Sequence, residues 1–127
     1  MMSSGRTEGP PAALFARGDI VIIADRGVEF AGKPRPALVL QSTHFATTTL
    51  TVCPITSIAV DAPLLRIALP VGEASGLVVP CWAQIDKITT IGRRRIGGRI
   101  DHLDNVKMFE IGQALLVFLG IADAAGR

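Results

Sequence analysis

Chemistry that needs clustered histidines, thiols or acids finds little to work with in this chain. The two histidines, His44 and His102, stand far apart with no cysteine or carboxylate at ligand spacing, so a zinc site is not expected. No pair of close acids suggests a two-metal nuclease. The phosphate-binding patterns GxxxxGKS and GxxxxGKT, a GxGxxG after a strand, and GxSxG are all missing, which argues against nucleotide binding and α/β-hydrolase chemistry. Neither a cofactor nor a metal is therefore expected. The longest apolar run, Ala114 to Ile121, is far too short to span a bilayer. Met1 to Arg17 lacks the continuous apolar stretch of a signal peptide. The two cysteines, Cys53 and Cys81, fall in strongly apolar segments, and free buried thiols in a reducing cytoplasm are the expectation.

What is present fits one small domain. Of 127 residues, 49% are apolar, enough for a core. A domain of this size buries only roughly 65% of its unfolded surface, which makes a homodimer attractive. The formal charge is only +2, but its placement is uneven. Arg93, Arg94, Arg95 and Arg99 crowd into one short segment while the acids are scattered. Such a stripe suits a phosphate backbone, or equally a solvated basic turn.

Met1–Ala16, rich in Ser, Gly and Pro, reads as a disordered arm, Arg17 to Ile121 as the folded domain, and Ala122 to Arg127 as a frayed tail. Short β-branched runs fill most of the interval. Gly18-Asp19 opens a strand at Ile20–Ile23, and Asp25 to Pro34 is a loop. Further strands are expected over Pro36–Gln41, Leu50–Cys53, Leu64–Leu69, Leu77–Ile85 and Arg95–Ile100, with a turn at Gly72 to Gly76. Pro80 marks a bulge or an edge. The end changes period. Asp101 is the expected N-cap, and Val106, Phe109, Gln113, Leu116 and Leu119 recur at helical spacing, with Ile111, Leu115 and Phe118 widening the apolar face and Gly120 as the stop. Five or six strands and one terminal helix predict a mainly β chain: a small antiparallel barrel or sheet closed by the C-terminal α-helix.

Three segments carry the remaining chemistry. In Gly32-Lys33-Pro34-Arg35-Pro36 the flanking prolines fix the backbone, so Arg35 loses little further entropy on gripping an anion. The same arginine could instead brace the barrel. Cys53-Pro54-Ile55-Thr56-Ser57 ends a strand with two adjacent hydroxyls, which alone would suggest a turn cap. Asp86-Lys87-Ile88-Thr89-Thr90-Ile91 reads as an amphipathic strand leading into the arginine cluster.

Together these segments resemble the MazF/PemK toxins of type II toxin–antitoxin systems, over Arg17 to Ile121. Arg17-Gly18-Asp19-Ile20-Val21 is similar to the family's opening "RGDIV", and Lys33 to Leu40 to its "K-x-RPAVVL". Val52 to Ser57 resembles "V-x-P-x-TS", and Asp86 to Ile96 resembles "DQIRTIDKxRL". The resemblance implies an SH3-like barrel of the CcdB/MazF type. It places Arg35 and Thr56 at the family's catalytic arginine and hydroxyl, and Ser57 and Asp86 at groove-lining positions. Asp86 becomes the candidate to take the 2′-OH proton. Lys33, Lys87, Arg93, Arg94 and Arg95 are the expected RNA-binding cations. Gln84 stands where one branch carries an arginine, and Gly92 where an acidic residue is common.

The implied function is that of a cytoplasmic toxin, a metal-independent endoribonuclease acting on single-stranded RNA. It would be held in check by a cognate antitoxin encoded next to it, with no membrane partner. Two alternatives share the barrel: a CcdB-like gyrase poison, and an SH3-like interaction module without activity. The first lacks support, since Leu119 occupies the place of the tryptophan that precedes the final Gly-Ile of the CcdB pattern.

Overall fold

The computed structural model describes residues 15–24, 35–72 and 77–123. The arm up to Leu14, the Asp25 to Pro34 loop with Lys33, the interior of the turn after Gly72 and the last four residues lie outside the described residues.

Seven strands form: β1 (Asp19–Ile23), β2 (Arg35–Val39), β3 (Thr49–Thr56), β4 (Arg66–Leu69), β5 (Cys81–Gln84), β6 (Thr89–Gly92) and β7 (Ile96–His102). One helix follows, α1 (Asn105–Phe118). All pairings are antiparallel, in the order β4-β5-β3-β2-β1-β7, with β6 also on β3. β3 organises the sheet. One edge pairs with β2; the other pairs with β6 over Thr49–Val52 and then with β5 at Ile55 and Thr56. Pro54, which has no N–H to donate, stands where that edge changes partner, a place where the missing donor costs little. A 3₁₀ turn at Ile85–Lys87 carries the chain from β5 to β6. Among the described residues no ladder joins β6 to β7. There the sheet stays open rather than closing into the expected barrel, and the gap is bridged by the Arg93–Arg95 turn, through Arg93 N–H to the Thr48 carbonyl and Ala24 N–H to the Arg95 carbonyl.

The continuous apolar run of β1 is explained by burial on both faces. Ile20, Leu38 and Cys53 face the larger core, with Ile55, Ile67, Leu69, Ile85, Met108 and Ile111. Val21, Ala37, Val39 and Val52 face a second, smaller cluster with Leu50 and Ile91. Phe15, which the sequence assigns to the arm, packs on that second cluster. Asp19 is a buried carboxylate with all its needs met: Ala16 N–H donates to Oδ2, while His102 Nδ1 lies 2.7 Å and Arg99 3.5 Å from Oδ1. Gly18, at φ +100°, leaves room for this, because a Cβ there would sit 3.0 Å from the His102 ring.

Two expectations at the C-terminal end need correction. The N-cap is Asp104, whose carboxylate accepts from Lys107 N–H, while Asp101 belongs to β7 opposite Ile20. Both aspartates satisfy the local rule, and the pairing of β7 with β1 decides between them. The helix also turns a different face inward. Of the expected face Ile111 and Leu115 pack on the core, joined by Met108, whereas Val106, Phe109 and Leu116 are exposed. α1 is apolar nearly all round, so the sheet rather than the helix period selects the buried stripe. Gly120, at φ +78°, ends the helix as expected.

Candidate active site

Strand register builds the site. β2 and β3 pair Ala37 with Pro54, Leu38 with Cys53 and Val39 with Val52. Continued two residues, that register sets Arg35 across from Thr56, on the face shared by Ala37 and Pro54. On the other side of β3, Thr56 pairs with Trp82, and the same register sets Pro54 across from Gln84. Gln84 in turn pairs with Arg66 of β4. One face of the sheet thus carries Arg35, Thr56 and Trp82 in one row, and Pro54, Gln84 and Arg66 in the next.

Arg35, Thr56, Ser57 and Gln84 line a single cleft of about 430 Å³ floored by Pro36, Pro54 and Ile55. Exposed apolar side chains, Ile58, Val78, Val79 and Ile100, stand at its rim. Among the described residues nothing engages the Arg35 guanidinium; Arg17, Arg66, Arg93 and Arg99 all hold carbonyls or carboxylates. Arg35 is therefore not bracing the barrel. The Thr56 hydroxyl does cap its turn, accepting from Ile58 N–H at 3.1 Å. Accepting leaves its own proton free to donate, so turn-capping and chemistry do not compete. Ser57 is exposed beside it.

Asp86 goes elsewhere. It does not line the cleft; its Oδ1 is bound by Arg66 Nη1 at 2.5 Å, and Lys87 Nζ lies 3.9 Å from Oδ2. The Arg66 hydrogen bond holds its carboxyl below the usual aspartate value, which makes it a weak base. The Arg66 side chain is 11% exposed and ties β4 to the turn after β5. The arginine cluster is only partly free. Arg93 braces the preceding loop through the Thr47 and Phe45 carbonyls, and Arg95 Nε lies 3.5 Å from the Ala24 carbonyl. Arg94 projects into solvent. Ile96, next to Arg95, pairs with Ile23, which pairs with Arg35. The turn therefore lies two strand spacings, about 10 Å, from Arg35.

Cys53 and Cys81 are free and buried. The Cys53 thiol donates to the Gln84 carbonyl, and burial pushes its pKa up to about 12. Among the described residues no three His, Cys, Asp or Glu side chains are placed to hold a metal ion, and no helix is long and apolar enough to cross a membrane. Sequence reading missed Trp82 and gave Gln84 no role at the site. The one available signal was their i, i+2 spacing on a strand, which by itself says nothing about which face is functional.

Residues 16–119 match the family described as PemK-like, MazF-like toxin of type II toxin-antitoxin system. A curated protein of Mycolicibacterium smegmatis, described as "Probable endoribonuclease MazF", is 46% identical over 107 residues, covering 84% of this chain and 97% of that protein. Among solved structures, a MazE–MazF complex from Deinococcus radiodurans superposes with a TM-score of 0.68 at 24% identity, covering 85% of this chain and 97% of the other. The Mycobacterium tuberculosis toxin MazF-mt6 gives 0.66 at 22% identity, covering 80% and 96%. These structural likenesses establish the fold.

Proposed function

Because the chain belongs to the PemK-like, MazF-like toxins of type II toxin–antitoxin systems, we propose that it is an endoribonuclease that cuts single-stranded RNA in the Arg35–Thr56 cleft. The observation that carries this reading is an Arg35 guanidinium with no partner among the described residues, in the same cleft as the Thr56 hydroxyl and one strand over from it in register.

RNA brings its own nucleophile. The 2′-oxygen attacks the adjacent phosphorus, the bond to O5′ breaks, and the 2′-OH proton is given up while O5′ gains one. The products are a 2′,3′-cyclic phosphate and a 5′-OH end. The protein need only hold the 2′-OH in line with the phosphorus and neutralise charge on the non-bridging oxygens. Arg35, permanently charged and planar, offers a fork to two of those oxygens. Thr56 donates a hydrogen bond to one of them, and Ser57 supplies a further polar contact. Asp86, bound by Arg66, serves the fold rather than proton transfer. Lys33, Lys87, Arg94 and Arg95 attract the flanking phosphates. Arg93 contributes by holding its loop.

The site works without a metal, in the cytoplasm, as part of a homodimer. A cognate antitoxin covers it, since the relatives include MazE–MazF complexes and the cleft rim offers apolar anchors beside cations. Incubation with a long single-stranded RNA in EDTA tests the reading. Discrete fragments with 5′-OH ends are expected. Cleavage that stops in EDTA and returns with magnesium overturns the mechanism, and no cleavage under either condition overturns the activity.

A further inference from the structure

Trp82 is the chain's single tryptophan, and it is not in the core. It is half-buried, directly cross-strand from Thr56, on the face that carries Arg35. Its other neighbour in register is the exposed Ala68 of β4, the smallest side chain that a β-carbon allows. Two residues on, Gln84 lies on the same face and lines the cleft. Neither the indole N–H nor the Gln84 amide has a hydrogen-bond partner among the described residues; only the Gln84 backbone carbonyl is used, by Cys53. Beside them Arg66 binds Asp86 and the Leu65 carbonyl through Nη1, while its buried Nε finds no partner among the described residues. An aromatic ring and an amide, neighbours on the face that carries the groups assigned to the phosphate, thus keep their side-chain polar atoms unused among the described residues.

We propose that Trp82 and Gln84 form a nucleobase subsite next to the scissile phosphate, in which the indole stacks on an unpaired base and the amide reads its edge. This rests on the ribonuclease reading above and adds what that reading lacks, a source of sequence preference. Single-stranded bases are free to stack on aromatic rings and expose their edges. The Gln84 amide pairs a donor with an acceptor, the complement of the adenine N6–H and N7 edge. Arg35 and Thr56 contact the phosphate, which is the same for every nucleotide, so discrimination falls to this pair. The i, i+2 spacing on β5 places stack and edge on the same face about 7 Å apart along the strand, within the span of one nucleotide.

The test uses the wild-type protein first. Fragment ends from a random-sequence single-stranded RNA pool define the cleaved sequence, and a 2′-deoxy analogue of it gives an uncleavable ligand. Trp82 reports directly, since no other tryptophan is present. Its fluorescence should quench on titration, in step with the anisotropy of the labelled oligonucleotide. Trp82→Ala should weaken binding roughly 5- to 150-fold, the range of one lost stacked base, and Trp82→Phe should restore most of it. Gln84→Glu keeps the size but only accepts, so preference at one position should move from adenine toward guanine, whose N1–H and N2–H both donate. A Trp82 signal that stays silent at saturation, or a cleaved sequence unchanged in Gln84→Glu, overturns the subsite while leaving the ribonuclease intact. Wild-type protein that neither binds nor cuts single-stranded RNA overturns the functional reading instead, and the subsite with it.

Discussion

Arg35→Ala separates the two roles an arginine at the mouth of a barrel can play. Its guanidinium makes no hydrogen bond or ion pair among the described residues, so truncation breaks nothing that holds the fold. The backbone of residue 35 still pairs with Ile23, and its neighbour Pro36 with Ile22. The melting temperature should therefore stay within a few degrees of wild type. Catalysis should respond differently. Removing one preorganised donor from developing charge typically costs ~10²–10³ in rate, or about 2.7–4 kcal/mol of barrier. Arg35→Lys keeps the charge but loses the fork, and should fall between the two. Single-turnover cleavage of a short fluorescent RNA in EDTA, with a thermal melt of each variant, measures both quantities. A variant that melts far below wild type would show that Arg35 supports the fold. One that cleaves within tenfold of wild type would remove the guanidinium from the transition state.

Thr56→Val should lose most cleavage, and Thr56→Ser should retain part of it, because the proton given to the phosphate survives only in serine; equal activity of the Val variant and wild type would confine the hydroxyl to its Ile58 turn. For Asp86, the carboxyl is depressed in the folded state, so its stabilising contribution is full above the unfolded aspartate value of 3.8 and disappears as pH falls through the lower folded value. Asp86→Asn should then melt below wild type at pH 7 and converge with it in strong acid, with cleavage largely kept; an unchanged melt with abolished cleavage would return Asp86 to proton transfer. Ile111 is fully buried between α1 and the sheet, so Ile111→Ala should cost about 2–5 kcal/mol in urea unfolding, and a loss under 1 kcal/mol would mean that the helix is not seated as described. Cys53, pushed up to about 12, should resist a thiol reagent at pH 8 until the protein is unfolded, and rapid labelling of the native state would contradict its burial.

Local rules were enough to read much of this protein in its sequence. The continuous apolar run at Ile20–Ile23 signals a strand buried on both faces, and Gly120 ends the helix where its freedom at positive φ predicts. Prolines and turn chemistry drew attention to Arg35 and Thr56, and the family resemblance of their segments is what assigned them to the site. What lay beyond reach were facts of pairing between distant segments. The N-cap moved from Asp101 to Asp104 because β1 claims Asp101, 81 positions after Ile20. The helix turned inward along Met108 and Ile111 because an all-round apolar helix has no preferred side until a sheet supplies one. Asp86 left the site because Arg66, on a strand of its own, reaches it first. Trp82 and Gln84 share a face with Arg35 and Thr56 because the registers of β3 on β2 and on β5 align three strands, and of these two only Gln84 lines the cleft. A one-residue slip in either ladder would turn them to the opposite side. Strand alternation told which residues share a face; only the long-range hydrogen-bond ladders decided which faces meet.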